Sequence, residues 1–255
     1  MEIKRNQKYF TSKGINIILI VGLVVCLIGI VLLFETNTRP FGLVILLVGS
    51  AVAVFGSGAK SGEADIDNQI HGIVKDIPEQ AQIKHVVYER HFLKIINPVF
   101  LKGFDYSAED LLCRKGPDHK YRTQAYNAAQ IYFTKEKIYI YGKHICLIDD
   151  SEEQNYEFSE VILYENVEKA YVEPTVVKVA GRDVKVFYFV LQLKDGSNAI
   201  RISVDYGADV DKACDDINHA TEKMTALAIE RAADKAAKRA FLREQDAKKA
   251  AAAAE

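Results

Sequence analysis

Any chemistry in this chain must come from four cysteines, six histidines and a few clusters of charge. Cys26, Cys113, Cys146 and Cys214 stand far apart, with no CxxC and no Cys/His ligand spacing, so no structural zinc site is predicted. The histidines are His71, His85, His91, His119, His144 and His219. The closest two, His85 and His91, are badly spaced for joint ligation on a helix or a strand. Asp149-Asp150-Ser151-Glu152-Glu153 concentrates negative charge but lacks the spacing and the glycine of a calcium loop, and it reads as a solvated turn. No GxxxxGK[ST], GxGxxG, HExxH or GxSxG run occurs. The sequence therefore predicts no catalytic residue, no cofactor and no metal. Arg231, Lys235, Lys238 and Arg239 share one helical face and are the candidate contact for anionic lipid headgroups or an acidic partner. Neighbouring acidic residues nearly cancel their charge, so a solvated face is the competing reading.

The elements that would position these groups divide unevenly. Of 255 residues, 49% are hydrophobic and 27% charged, and the formal net charge is -2. That balance excludes disorder and a globally basic nucleic-acid binder. Hydrophobicity is concentrated in the first 60 residues. Residues 15–34 and 41–59 are two apolar runs separated by Glu35-Thr36-Asn37-Thr38-Arg39-Pro40. A 20-residue helix rises about 30 Å, the thickness of a bilayer core, so the sequence predicts a two-helix transmembrane hairpin over 15–59. Lys4, Arg5, Lys8 and Lys13 precede it and Lys60 follows it, which predicts a basic cytoplasmic N-terminus over 1–14 and a cytoplasmic C-terminus. The predicted location is the cell membrane, with two spans. Gly22, Gly29, Gly42, Gly49 and Gly56 recur every seventh residue within each run, and Ala53 joins Gly49 in a row of small residues. Such rows let helices approach closely, within the hairpin or in a homo-oligomer.

Residues 60–110 read as an amphipathic helix and a connector. Ile66, Ile70, Ile73 and Ile77 follow helical spacing and Pro78 should stop the helix. The stretch 80–110 reads either as a strand pair or as a membrane-proximal segment. Residues 111–228 read as a β domain with a capping helix. Ile138 and Ile140 share one face of a strand, Tyr139 and Tyr141 the other. Asp195-Gly196 has the chemistry of a hairpin turn. Six or seven antiparallel strands precede a helix that starts near Ala208. Residues 229–255 form an Ala/Lys-rich charged helical tail.

The order of strands and closing helix resembles the pleckstrin-homology-like (PH-like) fold. The strand pair around Ile131-Tyr132-Phe133-Thr134-Lys135-Glu136-Lys137-Ile138 is similar to that of bacterial PH-like membrane proteins, as are Phe158-Ser159-Glu160-Val161 and Val167-Glu168-Lys169-Ala170-Tyr171-Val172. The chain lacks tryptophan, and no arginine follows Lys135 and Lys137 in the pattern of phosphoinositide recognition. The resemblance implies a membrane hairpin plus an α+β cytoplasmic domain: an antiparallel β-sandwich or partly open barrel capped by a long C-terminal helix. The function it implies is a membrane-anchored, non-enzymatic scaffold or adaptor that binds a partner protein or self-assembles. The alternative is a membrane-surface sensor that binds lipid headgroups or a small ligand through the β domain. Membrane lipids and a protein partner or homo-oligomer are the expected partners, and nucleic acid is not.

Overall fold

The computed structural model describes residues 2–11, 17–35, 37–57, 62–108, 110–179 and 181–252, without side-chain surroundings for 17–18, 55–57 and 244–252. Its centre is an antiparallel sheet of four strands: β1 (Val99–Phe104), β4 (Ala125–Phe133), β5 (Lys137–Cys146) and β6 (Tyr156–Leu163), in the order β1-β4-β5-β6. A small hairpin, β2 (Cys113–Lys115) with β3 (Tyr121–Thr123), is inserted between β1 and β4. A second antiparallel sheet joins β7 (Val167–Val179), β8 (Arg182–Leu193) and β9 (Asn198–Ser203).

Side chains alternate across a strand, and here both faces of β4 and β5 are covered. One face presents Ile131, Phe133, Ile138 and Ile140 to a core shared with Phe189, Leu191 and Ile202 of the three-stranded sheet. The other presents Tyr126, Ala128, Tyr132 and Tyr141 to three helices. These are α1 (Ile3–Thr11), α4 (Glu63–Val74) and α5 (Ile77–His85). The predicted division of Ile138 and Ile140 from Tyr141 matches this layering.

The two sheets meet where β1 approaches β9. Asp205 donates its backbone N–H to the carbonyl of Lys102 (3.1 Å). A Cβ on Gly103 would lie 2.6 Å from the carbonyl oxygen of Ser203, so only glycine allows this approach. Helix α6 (Ala208–Ala252) packs on the core shared by the two larger sheets, with Cys214, Ile217, Ala220 and Met224 buried. Asn218 ties it to the outer edge of β7, accepting from Ala170 N–H (2.7 Å) and donating to Ala170 C=O (2.9 Å).

Two features differ from expectation. Pro78 does not end the helix that starts at Glu63. That helix, α4, stops at Val74, and Pro78 sits in the first turn of α5, where its missing N–H has no intrahelical acceptor to lose. The stretch expected as a strand pair or membrane-proximal segment contributes most of α5 and then strand β1.

The transmembrane hairpin is the larger correction. Helices α2 (Ile17–Leu33) and α3 (Arg39–Ser57) do pair, but no helix among the described residues is long and apolar enough to cross a membrane. Helix α2 has 17 residues, a rise of about 25 Å against a bilayer core of about 30 Å. Helix α3 has 19 but begins at Arg39 and includes Ser50, Ser57 and three glycines. Residues 15–16 and 58–59 of the predicted spans lie outside the described residues. The expected membrane hairpin, two-span cell-membrane location and the orientation derived from it are therefore not supported.

The glycine rows bring α2 and α3 together. A Cβ on Gly22 would lie 2.5 Å from Ala53 N, one on Gly29 2.6 Å from Leu46 N, and one on Gly49 2.6 Å from Cys26 N. One on Gly42 would lie 2.9 Å from the carbonyl oxygen of Gly29. Gly56 lies on α3, outside the residues with described surroundings. Cys26 Sγ and Ser50 Oγ are 3.6 Å apart across this seam. Ser50→Cys should therefore oxidise with Cys26 to a disulfide, read by mass spectrometry as the loss of two hydrogens. Adding Gly49→Leu should prevent it, because the new side chain must push Cys26 away.

Candidate functional site

A cleft of about 780 Å³ opens between α4, the β2–β3 hairpin, β8 and the residues after β9. It is within the size range of ligand sites. One wall is fixed by Arg122 of β3, whose side chain is only 5% exposed. Its guanidinium donates to both carboxylate oxygens of Asp67 on α4 (2.9 and 2.7 Å) and to both of Asp118 (3.0 and 2.9 Å). Five N–H donors in a planar fork suit two carboxylates, and lysine could not do the same. The pair of carboxylates holds Arg122 well above the ordinary guanidinium range, and Arg122's hydrogen bonds hold Asp118 down to about 2.

Aromatic and basic residues complete the cleft. Phe187 and Tyr206 stack with centroids 4.2 Å apart, and Tyr206 donates to Asp211 (2.6 Å). Lys102, Lys120 and Lys185 are exposed on its rim. Among the described residues no carboxylate is in ion-pair contact with them. Asp205 reaches solvent, yet the protein around it strips away water and raises its carboxyl above the usual carboxylate range. Lys120 and Lys102 offset part of that rise.

A second cavity, about 330 Å³, lies beside a buried polar cluster. Asp105 accepts from the N–H (3.0 Å) and hydroxyl (2.9 Å) of Ser107. His144 Nδ1–H donates to Asn127 Oδ1 (2.7 Å) and lies 3.7 Å from Asp105, with its ring stacked on Tyr156. The Ser107 hydroxyl is committed to Asp105, not to the imidazole, so serine and histidine do not form a nucleophile–base pair. Burial lowers His144 below the ordinary histidine value, with Asp105 opposing. Burial also raises Cys113 and Cys214 to about 11, so neither is a thiolate at neutral pH. Among the described residues no group of three potential ligands could hold a metal ion.

The sequence-predicted sites fall elsewhere. Gly22, Gly29, Gly42, Gly49 and Ala53 form the α2–α3 seam. The outer faces of that pair expose large apolar side chains, including Leu27 at 62%, Leu47 at 62% and Phe41 at 68%. Arg231, Lys235, Lys238 and Arg239 are exposed on α6 past its packed part. None of these residues lines the cleft. The cleft's own residues were not singled out, because Asp67, Asp118, Arg122, Lys185 and Asp205 meet only through the fold. The basic N-terminus hid a further surprise: Asn6, Tyr9 and Phe10 of α1 are buried on the sheet. Asn6 donates to Leu147 C=O (2.8 Å) and Gln69 Oε1 (2.9 Å).

No family model matches this chain, and neither do any curated proteins or solved structures.

Arg122→Met should cost about 2 kcal/mol in urea unfolding, the scale of lost hydrogen bonds to charged groups, moderated because both carboxylates can turn to water. His144 supplies a pH signature. Its folded value lies below its unfolded value near 6.5, so the unfolded chain binds more protons in that window. Stability should hold above about pH 6.5 and fall as the pH drops below it, and His144→Asn should flatten that step.

Proposed function

We propose that the chain is a non-enzymatic adaptor whose β domain holds a protein partner in the cleft between α4 and β8. The observation that carries this reading is the cleft: walls pinned by a buried arginine, an aromatic pair and a basic rim. No nucleophile–base pair or metal-ligand group accompanies it among the described residues. Such a site recognises and orients. The order of four strands, then three, then a closing helix supports the PH-like resemblance, and PH-like domains are a common scaffold for recognition.

The exposed apolar faces of α2 and α3 supply a second contact. Contiguous apolar surface of this kind marks an association site. On this reading the α2–α3 pair joins an apolar protein surface while the β domain recruits the partner.

The test of the adaptor itself is a photo-crosslinking amino acid placed at Tyr206, in the cleft, and at Glu222, on the far helix. In cells, the full chain should give one discrete protein adduct from position 206 and none from 222. Absence of any adduct at 206 would contradict the reading.

A further inference from the structure

Four consecutive residues of β8, Val184, Lys185, Val186 and Phe187, line the cleft. Successive strand residues point to opposite faces, so a cavity touched by four in a row lies beyond the strand's edge, not over its face. The polar backbone groups there can be assigned. Pro174 faces Phe187 across β7–β8 and has no N–H to give, while Phe187 C=O accepts from Val204 N–H (2.9 Å) on the β9 side. Alternate residues in an antiparallel strand direct their N–H and C=O to alternate edges. Lys185 and Asp183 therefore direct theirs to the β9 side as well. Strand β9 does not reach them. Its pairing ends at Tyr188↔Ser203, and the chain then turns to β1 through Asp205 N–H and Lys102 C=O. Among the described residues nothing pairs with Lys185 or Asp183 on that side.

We infer that this open edge of β8 is a strand-addition site, and that its occupant is an extended acidic segment of a protein partner. A strand paired to β8 would run about 4.8 Å away, inside the cleft. Three features of the walls favour acidic side chains on it. Lys102, Lys120 and Lys185 stand on the rim with no ion-paired carboxylate among the described residues. Arg122 offsets one of the two charges of Asp67 and Asp118, so that, with Asp205 counted, the four cations of the cleft walls still outnumber the three carboxylates. Ser203 also lines the cleft, and its buried Oγ has no hydrogen-bond partner among the described residues. An unmet hydroxyl beside unmet backbone groups fits a polar peptide better than an apolar ligand. By contrast, the outer edge of β7 is occupied at Ala170 by Asn218.

This inference rests on the adaptor reading and is tested separately from it. The probe is a phage-displayed library of random 12-residue peptides, selected on the full chain. Selected peptides should be rich in Asp and Glu, and their saturation should slow hydrogen exchange at the amides of Asp183 and Lys185. Of the backbone hydrogen-bonding groups, Lys185→Pro removes only the N–H that faces the cleft, which is not part of the β7 ladder, and the Lys185→Ala variant accounts for the lost side chain. It should weaken binding about tenfold or more, while Lys185→Ala, which keeps the N–H, should weaken it by about threefold or less. Circular dichroism and the melting temperature report whether the proline variant folds, and the exchange measurement on the unmodified chain stands if it does not. Selected peptides that bind both variants equally, or that leave the two amides unprotected, would overturn strand addition. Selection of no peptide, or a change in oligomeric mass with Lys185→Pro, would overturn it too, the latter in favour of edge pairing between copies. In each case an adduct at position 206 would leave the adaptor reading intact.

Discussion

Burial of both faces of β4 and β5 is the constraint from which the rest of the molecule follows. A sheet with one wet face would leave the N-terminal third free. Here Tyr126, Ala128, Tyr132 and Tyr141 demand a cover, and α1, α4 and α5 provide it. Polar atoms fix the register of that cover: Asn6 caps a carbonyl at Leu147, and Tyr132 donates to Pro78 C=O (2.8 Å). Once α4 is seated, Asp67 is carried to Arg122, and the wall of the cleft is set. The site is a consequence of packing on the side of the sheet away from the barrel core.

The antiparallel strands were legible in the sequence wherever hydrophobic period and turn chemistry agree. Gly196 at φ 86° closes the β8–β9 hairpin at the predicted Asp-Gly, and Gly181 at φ 76° sits in the turn before β8. The helical spacing of Ile66 and Ile70 identified α4, both residues being buried. Short elements were less legible. Strands β2 and β3 have three residues each, too few to show alternation. Strand β1 contains Lys102 and Gly103, which weaken a strand signal that is met only by pairing with β4. The hairpin misled by length: apolar runs suggested spans, whereas the described helices stop short and pack through glycine.

The cleft was illegible for a different reason. A guanidinium shared by carboxylates 55 and 4 residues away leaves no local motif. An open strand edge leaves none either, because it is defined by where a neighbouring strand ends. Both are properties of topology. The same topology separates the exposed apolar faces of α2 and α3 from the cleft at β8.

Helix α4, seated on the sheet, holds one wall of the cleft at a fixed distance from β8. Spin labels at Asn68 on α4 and Lys185 on β8, in a chain with Cys26 and Cys113 changed to serine, measure that distance by electron–electron resonance. The account predicts one narrow distribution that broadens when Ile66→Ala removes the anchor of α4. A broad distribution in the chain that keeps Ile66 would contradict it, because a cleft with a loose wall could not present β8 to a partner.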